Sequence, residues 1–215
     1  CYSNVVNMLD LGGIPLLASE RGDDCPIVVG GGPCTYNAEP VADFFDAFSI
    51  GEGEEALPEM MRLYVDMKEA GTYSRKAFLH ELAKLPGFYV PSLYEVTYND
   101  DGTVKAYTPV YDDIPTRITK RIIKDLDKVY YPEKLVIPFI DTVQDRIVLE
   151  VYRGCIRGCR FCQAGMVYRP IREKSVDVLD RCAKILYEAT GYDEISLSSL
   201  SISDYSHIDE LCDTL

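Results

Sequence analysis

The sequence lacks the features of a membrane-bound or secreted protein. No uninterrupted apolar run reaches the length of about 18 residues that a membrane-spanning helix requires. The first residues do not show the basic and then apolar pattern of a signal peptide. We therefore expect a cytoplasmic protein that does not have a membrane as a partner.

Basic residues are also few. The chain has 22 Lys and Arg against 35 Asp and Glu, which gives a formal net charge of -13. Because binding by phosphate neutralisation needs clustered Lys and Arg, this balance excludes general coating of nucleic acid. One segment reverses the balance. From Tyr152 to Lys174, six basic residues stand against a single acid, Glu173.

The 215 residues, 47% of them hydrophobic, are enough for one large domain or two ordinary ones. The chain opens on Cys1 and enters a helical pattern at once, and it stops inside another helical pattern. We therefore expect an internal piece of a longer protein. His80 has no Cys or second His near it in sequence, so we expect it to lie at the surface.

Eight cysteines could suggest a secreted disulfide scaffold, but proteins of that class are short and rich in loops. Three cysteines instead fall close together in the segment LEVYRGCIRGCRFCQAG, at Cys155, Cys159 and Cys162. The others are scattered singly, as small buried hydrophobic residues are. They are Cys1, Cys25, Cys34, Cys182 and Cys212.

Residues 26–70 alternate between strand and helix patterns. PIVVGGGP and FSIGEGEE predict strands, while AEPVADFFDA and EALPEMMRLYVDMKEAG predict helices, so we expect a parallel sheet covered by helices. The glycine turns at 30–32 and 51–53 would then lie on one edge of the sheet. They would either admit a phosphate or flat cofactor, or simply form tight strand-to-helix turns. Neither has the full dinucleotide fingerprint.

The middle of the chain changes character. We predict a helix from Ser74 to Leu85 and a β-hairpin over SLYEVTYNDDGTVKAYTPVY. Prolines then interrupt a stretch without sustained periodicity, which indicates a connector. We place the domain boundary near Asp141.

From residue 147 onward the pattern is strand, loop, helix and strand. Ile147 to Val151 predict a strand, Ser175 to Thr190 a helix, and EISLSSLSI the next strand. The cysteines therefore lie beyond the carboxyl end of a strand in a βαβ unit, where α/β folds place their chemistry. Gly154 and Gly158 would let the loop curl so that its sulfurs face one centre.

Four interpretations of the cysteines compete. A structural zinc site normally takes four ligands, but the nearest further candidates, His207 and Cys212, belong to a helix after the next strand. A redox dithiol would leave Cys155 without a role. A ferredoxin-type cluster needs a fourth thiolate. In the remaining interpretation, three thiolates hold a 4Fe-4S cluster and leave one iron open for a small ligand.

The arginines around these cysteines have two interpretations. Arg153, Arg157 and Arg160 would lower thiolate pKa values and offset the negative charge of a cluster. Alternatively, they solvate the surface, as isolated charges usually do. Their interleaving with the cysteines favours a functional role.

CIRGCRFC resembles the signature of the radical S-adenosylmethionine (SAM) superfamily, and YRPIREKS is similar to the segment that follows the cluster loop in the methylthiotransferase-like branch. Together with NMLDLGGIPLL, GGGPCTYNAEP and GEGEE, the motif resembles an uncharacterised radical SAM family with an N-terminal cobalamin-binding-like domain.

The resemblance implies an α/β fold in three parts. Residues 1–72 would be the C-terminal part of a Rossmann-like cobalamin-binding-type domain. Residues 73–140 would be a connector with a helix and a β-hairpin. Residues 141–215 would be the start of a radical SAM partial (β/α) barrel.

The resemblance also implies site residues. Cys155, Cys159 and Cys162 would ligate the 4Fe-4S cluster, and Phe161 would lie near the adenine of SAM. The end of the second strand would contact the amino group of SAM, through Ser198, Ser199 and Ser201. These serines depart from the glycine-rich form that is common there.

By the same resemblance, the protein would be an enzyme that cleaves SAM to a 5'-deoxyadenosyl radical, with an electron donor such as flavodoxin or ferredoxin. Cobalamin is a further candidate cofactor, and RNA or protein is a candidate substrate. Methylthiotransferases carry further cluster cysteines upstream that this chain lacks at suitable spacing, so that activity is not carried over. The alternative is a non-catalytic iron-sulfur or zinc-binding module.

Overall fold

The computed structural model describes residues 2–140 and 142–215. Cys1 and the predicted boundary residue Asp141 fall outside the described residues. The chain divides into two compact units, Cys1–Ile122 and Ile123–Leu215. Both mix helices with small sheets, so the predicted α/β class is confirmed. Among the strands in the described part of the chain, none close a barrel.

The first unit is built on a short three-stranded sheet. Its strands are β1 (Val29–Gly30), β2 (Ala47–Ser49) and β3 (Phe88–Tyr89). β1 pairs with β2 in parallel, as the alternating pattern predicts, and β3 adds on the other side of β2 in the antiparallel direction. Its helices are α1 (Tyr2–Leu11), α2 (Gly53–Glu69) and α3 (Arg75–Leu82).

Two predicted helices of this unit differ in detail. The segment AEPVADFFDA forms a six-residue 3-10 helix, Glu39–Phe44, with a proline in its first turn, and a second 3-10 helix, Pro33–Asn37, precedes it. The helix predicted to reach Leu85 ends at Leu82, shortly before Pro86 and Gly87. Its predicted start is confirmed, because the Ser74 hydroxyl accepts a hydrogen bond from the Ala77 amide at 3.2 Å.

The predicted β-hairpin is confirmed as β4 (Tyr94–Tyr98) and β5 (Val104–Pro109). His80, on α3, is 24% exposed, and its Nε2 lies 3.0 Å from the Asp113 carboxylate. Lys84 contacts the same carboxylate at 3.0 Å. The hydrogen bonds from His80 and then from Lys84 lower the pKa of Asp113 to about 2. His80 is therefore part of an ion-pair cluster at the surface.

A buried ion-pair network holds the first unit together. The Asp46 carboxylate accepts hydrogen bonds from Arg21 at 3.0 Å and from Arg75 at 2.8 Å, and all three side chains are buried. The same carboxylate accepts the Val28 amide at 2.7 Å. Both guanidinium groups also donate to backbone carbonyls of residues 15–26. The network therefore fixes the irregular segment that precedes β1.

In its described residues, the second unit contains two strand pairs and three α-helices. The strands are β6 (Ile147–Glu150), β7 (Tyr152–Arg153), β8 (Arg172–Glu173) and β9 (Ile195–Ser198). The helices are α4 (Ala164–Val167), α5 (Val176–Thr190) and α6 (Ile208–Thr214). β6 pairs with β9 in parallel, and β7 pairs with β8 in the antiparallel direction. The predicted strand, loop, helix and strand order is confirmed.

The core of this unit forms where α5 packs on β6. Ile147, Leu149, Leu179 and Leu186 are almost completely buried. The apolar positions of β6 alternate, and those of α5 repeat at a helical spacing, which explains why these segments form a strand and a helix. α5 begins at Ser175, as predicted, and ends at a glycine with positive φ. In the described residues, no helix is both long and apolar enough to cross a membrane.

Candidate functional site

Cys155, Cys159 and Cys162 lie on one loop whose two ends are adjacent. We call residues 154–171 the cysteine loop. β7 leads into it and β8 leads out of it, and these strands pair with Tyr152 opposite Glu173 and Arg153 opposite Arg172. Since β7 follows β6 directly, the loop stands beyond the carboxyl end of β6, as the sequence predicts.

Glycines shape this loop at the two predicted positions. Gly154 has a φ of +98°, and a Cβ there would lie 2.9 Å from both the Ile171 Cα and the Pro170 carbonyl oxygen. Only glycine therefore lets the two ends of the loop approach so closely. Gly158 has a φ of +61° and nothing closer than 4.0 Å to such a Cβ. Both glycines therefore adopt the positive φ that lets the backbone turn at these positions.

The three cysteines of the loop are free thiols. Cys155 and Cys162 are half-buried, whereas Cys159 is exposed. The amide of Cys162 donates to the carbonyl of Cys159 at 3.1 Å, which closes a turn between them. In the part of the chain that the structure describes, no three Cys, His, Asp or Glu side chains are close enough to hold a metal ion. Cysteine thiolates are the ligands that iron-sulfur clusters take, so the residue types fit such a cluster. The three sulfur atoms do not converge on one point in this structure, so binding a cluster would require the loop to change conformation.

A second segment lies beside the cysteine loop. We call residues 198–206, after β9, the serine segment. Ser198 pairs with Glu150, and its carbonyl accepts the Val151 amide at 3.0 Å. The Tyr152 hydroxyl donates to the carbonyl of Ser201. These bonds hold the serine segment beside the first residues of the loop.

An ion pair makes a further connection. The Arg157 guanidinium, between the first two loop cysteines, makes a bidentate pair with the Asp204 carboxylate, with 2.7 Å from Nε to Oδ2. The Ser201 hydroxyl donates to the same carboxylate at 2.8 Å. These partners lower the pKa of Asp204. The sequence analysis missed Asp204, because nothing in sequence links it to a residue 47 positions earlier.

The predicted SAM-contact residues differ in their surroundings. The Ser199 hydroxyl oxygen is buried and has no hydrogen-bond partner among the described residues. The Ser201 hydroxyl, in contrast, already donates a hydrogen bond to Asp204. Phe161, beside the third cysteine, is 94% exposed. A buried hydroxyl without a partner and an exposed aromatic ring are both features that a bound ligand would satisfy.

The expected role of the arginines needs a correction. Arg153 makes a bidentate pair with Glu150 at 2.8 and 2.9 Å, and Arg157 is paired with Asp204. Their charges are therefore offset by acids and do not act on the cysteines alone. Arg160 is exposed and is the arginine near the cysteines that keeps no acid partner within the described residues.

Comparison with known proteins finds a family match for the first part of the chain. Residues 1–91 match the family described as "Radical SAM proteins, N-terminal". The first part of the chain is therefore similar to the N-terminal region of radical SAM proteins. The chain is also similar to an uncharacterised protein of Methanocaldococcus jannaschii, at 28% identity over 201 residues that cover 88% of this chain. The chain spans 35% of the length of that relative.

The match confirms the resemblance to radical SAM proteins through the first unit, whereas the cysteine loop belongs to the second unit. The match says nothing of cobalamin. Of the two glycine turns, the one at Gly51 is occupied by backbone atoms of Arg121. Gly51 forms a β-bridge with Arg121, and a Cβ on this glycine would lie 2.2 Å from the Arg121 carbonyl oxygen. The glycine therefore serves a close backbone contact, and this turn does not fit a flat cofactor.

Proposed function

We propose that this chain is part of a radical SAM enzyme in which Cys155, Cys159 and Cys162 hold a 4Fe-4S cluster and SAM binds beside them. The observation that carries the proposal is the placement of three free thiols on one glycine-shaped loop beyond the carboxyl end of β6. Three thiolates leave one iron of such a cluster open to a small ligand. The match of residues 1–91 to the N-terminal family of radical SAM proteins supports the same chemistry.

The serine segment supports a SAM site next to the cysteine loop. Its backbone is tied to β6 and β7, and its Asp204 is tied to Arg157 of the loop. Between these ties lies Ser199, whose buried hydroxyl is free to hydrogen-bond the amino group of SAM. The exposed ring of Phe161 would cover the adenine.

The residues of the chain would bind, orient and shield. The cysteines would ligate the cluster, and the pair of Arg157 with Asp204 would keep the loop against the serine segment. When bound and reduced, the cluster would supply one electron that splits SAM into methionine and a 5'-deoxyadenosyl radical. An electron donor such as flavodoxin or ferredoxin would reduce it. No step through cobalamin is proposed.

The parallel pair of β6 and β9, joined by α5, would be the first βα unit of the partial (β/α) barrel. The first unit would take the Rossmann-like form of a cobalamin-binding-type domain without its ligand. RNA or protein remains the proposed substrate class, since the exposed Arg160 and its basic neighbours could meet a phosphate backbone.

Anaerobic reconstitution with iron and sulfide tests the proposal. We expect about four iron atoms per chain, and a loss of most of that iron when any one loop cysteine is changed to serine. Cys212→Ser is the matched control, because Cys212 is an exposed free thiol outside the loop. Equal iron binding by the control and by the three loop variants would contradict the proposed ligands. Zinc in place of iron, or iron without any response to SAM, would favour the non-catalytic module.

A further inference from the structure

The second unit contains a cavity that the proposed function does not use. It has a volume of about 250 Å³ and lies between residues 127–133 and the outer face of α5. Its lining combines apolar side chains with charged ones. The residues that matter here are Lys128, Tyr131, Lys174, Arg181 and Cys182.

Lys174 is an unusual member of this lining, because its side chain is only 3% exposed. Its Nζ lies 4.8 Å from the centre of the Tyr131 ring and 3.9 Å from Glu150 Oε2, which is too far for a hydrogen bond. Both oxygens of Glu150 already accept hydrogen bonds from Arg153. Within the described residues, the Lys174 ammonium therefore donates no hydrogen bond to the protein. Burial lowers its pKa.

The buried Lys174 ammonium is the group in this cavity that an anion could meet. Three cations, Lys128, Lys174 and Arg181, line the cavity, and Lys128 is paired with Asp125 at 2.8 Å. The acids of the lining are Asp127 and Glu133. One of those acids is engaged elsewhere, since Asp127 accepts the amide of the residue after Lys174 at 2.8 Å. An anion in the cavity would supply the acceptor that the buried ammonium lacks.

The apolar part of the lining restricts the class of anion. Val129, Val178 and Ile185 are apolar members of the lining, and the Tyr131 ring faces the ammonium. A single buried cation suits one negative charge better than the two of a phosphate. We propose that this cavity binds a small organic carboxylate with a short apolar body, whose carboxylate accepts a hydrogen bond from Lys174.

Cys182 provides a direct readout, because this half-buried free thiol lines the cavity. In the full chain, butyrate is expected to slow alkylation of Cys182, measured by mass spectrometry of its peptide. Lys174→Met should weaken this protection by roughly tenfold or more, since a hydrogen bond to a charged group contributes at least that much to binding. This variant removes a buried charge, so we expect it to fold.

Lys184→Met is the matched control, because Lys184 lies on α5 with Cys182 but is exposed and paired with Asp180 at 2.6 Å. It should leave the protection unchanged. Arg181 is an exposed member of the same lining, so Arg181→Gln should also weaken the protection of Cys182 by butyrate. This variant replaces Lys174→Met in the test if Lys174→Met does not fold. The proposal is overturned if butyrate does not protect Cys182, if the Lys174 and Lys184 variants behave alike, or if inorganic phosphate protects better than butyrate.

Discussion

Gly154→Ala is the substitution that tests the geometry of the cysteine loop most sharply. The methyl group would meet the backbone of Pro170 and Ile171 at 2.9 Å, which is closer than a real Cβ approaches such atoms. It would also place a side chain on a backbone with a φ of +98°, a conformation that L residues rarely adopt. Both effects act where the loop leaves β7.

The two effects differ in size and can be separated. Left-handed backbone costs an alanine about 1–2 kcal/mol. Overpacking against atoms that cannot move aside costs about 1–3 kcal/mol more, so Gly154→Ala should lower the free energy of unfolding by about 2–5 kcal/mol. Gly158→Ala carries the first cost alone, because nothing lies closer than 4.0 Å to its new methyl group. A domain whose total stability is about 5–15 kcal/mol would register the difference clearly.

Hydrogen exchange in increasing urea is the suitable assay, because the chain has no tryptophan to report unfolding by fluorescence. Peptides from β6 and α5 report the second unit separately from the first. Gly154→Ala should move their unfolding to lower urea than Gly158→Ala does. Equal shifts for the two variants would refute the close approach of residue 154 to residues 170–171.

Three further predictions concern charged groups. Asp46→Asn should destabilise the first unit by about 3–5 kcal/mol, because it leaves two buried guanidinium groups without their carboxylate. Asp43→Asn is the control, because Asp43 is exposed. Equal urea midpoints of unfolding for the two variants would contradict the network. Asp204→Asn should speed amide exchange in the cysteine loop, because it weakens the pair with Arg157, and unchanged exchange there would count against that connection. Asp113 has a folded pKa of about 2, below its ordinary value of 3.8, so its contribution to stability is complete above about pH 4 and is lost as the pH falls towards 2. Asp113→Asn should therefore reduce the loss of stability between pH 4 and pH 2. The same dependence of unfolding free energy on pH in the variant and the original protein would contradict this assignment.

Local patterns were enough to predict most of the secondary structure. Apolar alternation in residues 147–151 and helical spacing in residues 176–190 are strong because both segments bury one face against the other. The hairpin followed from its turn residues. The short helix at residues 39–44 was predicted less well, since its proline-containing turn forms a 3-10 helix instead of an α-helix.

The candidate site was predictable only in part. The spacing of the cysteines and the glycines between them identified the loop, because that information is local. The partner of Arg157 was not predictable, because Asp204 lies 47 residues away in sequence. The buried ammonium of Lys174 was equally hidden, since its sequence neighbours suggest only a basic surface. The role of Gly51 depends on a backbone contact with residue 121, which no local pattern contains.

The central claim is that three cysteines hold a cluster whose open iron binds SAM. The most direct test is electron paramagnetic resonance of the reconstituted and reduced protein, recorded with and without SAM. The account predicts a reduced 4Fe-4S signal that shifts when SAM is added and that is absent when all three loop cysteines are changed to serine. A signal that does not change when SAM is added, or one that is still present in the variant without the three cysteines, would contradict it.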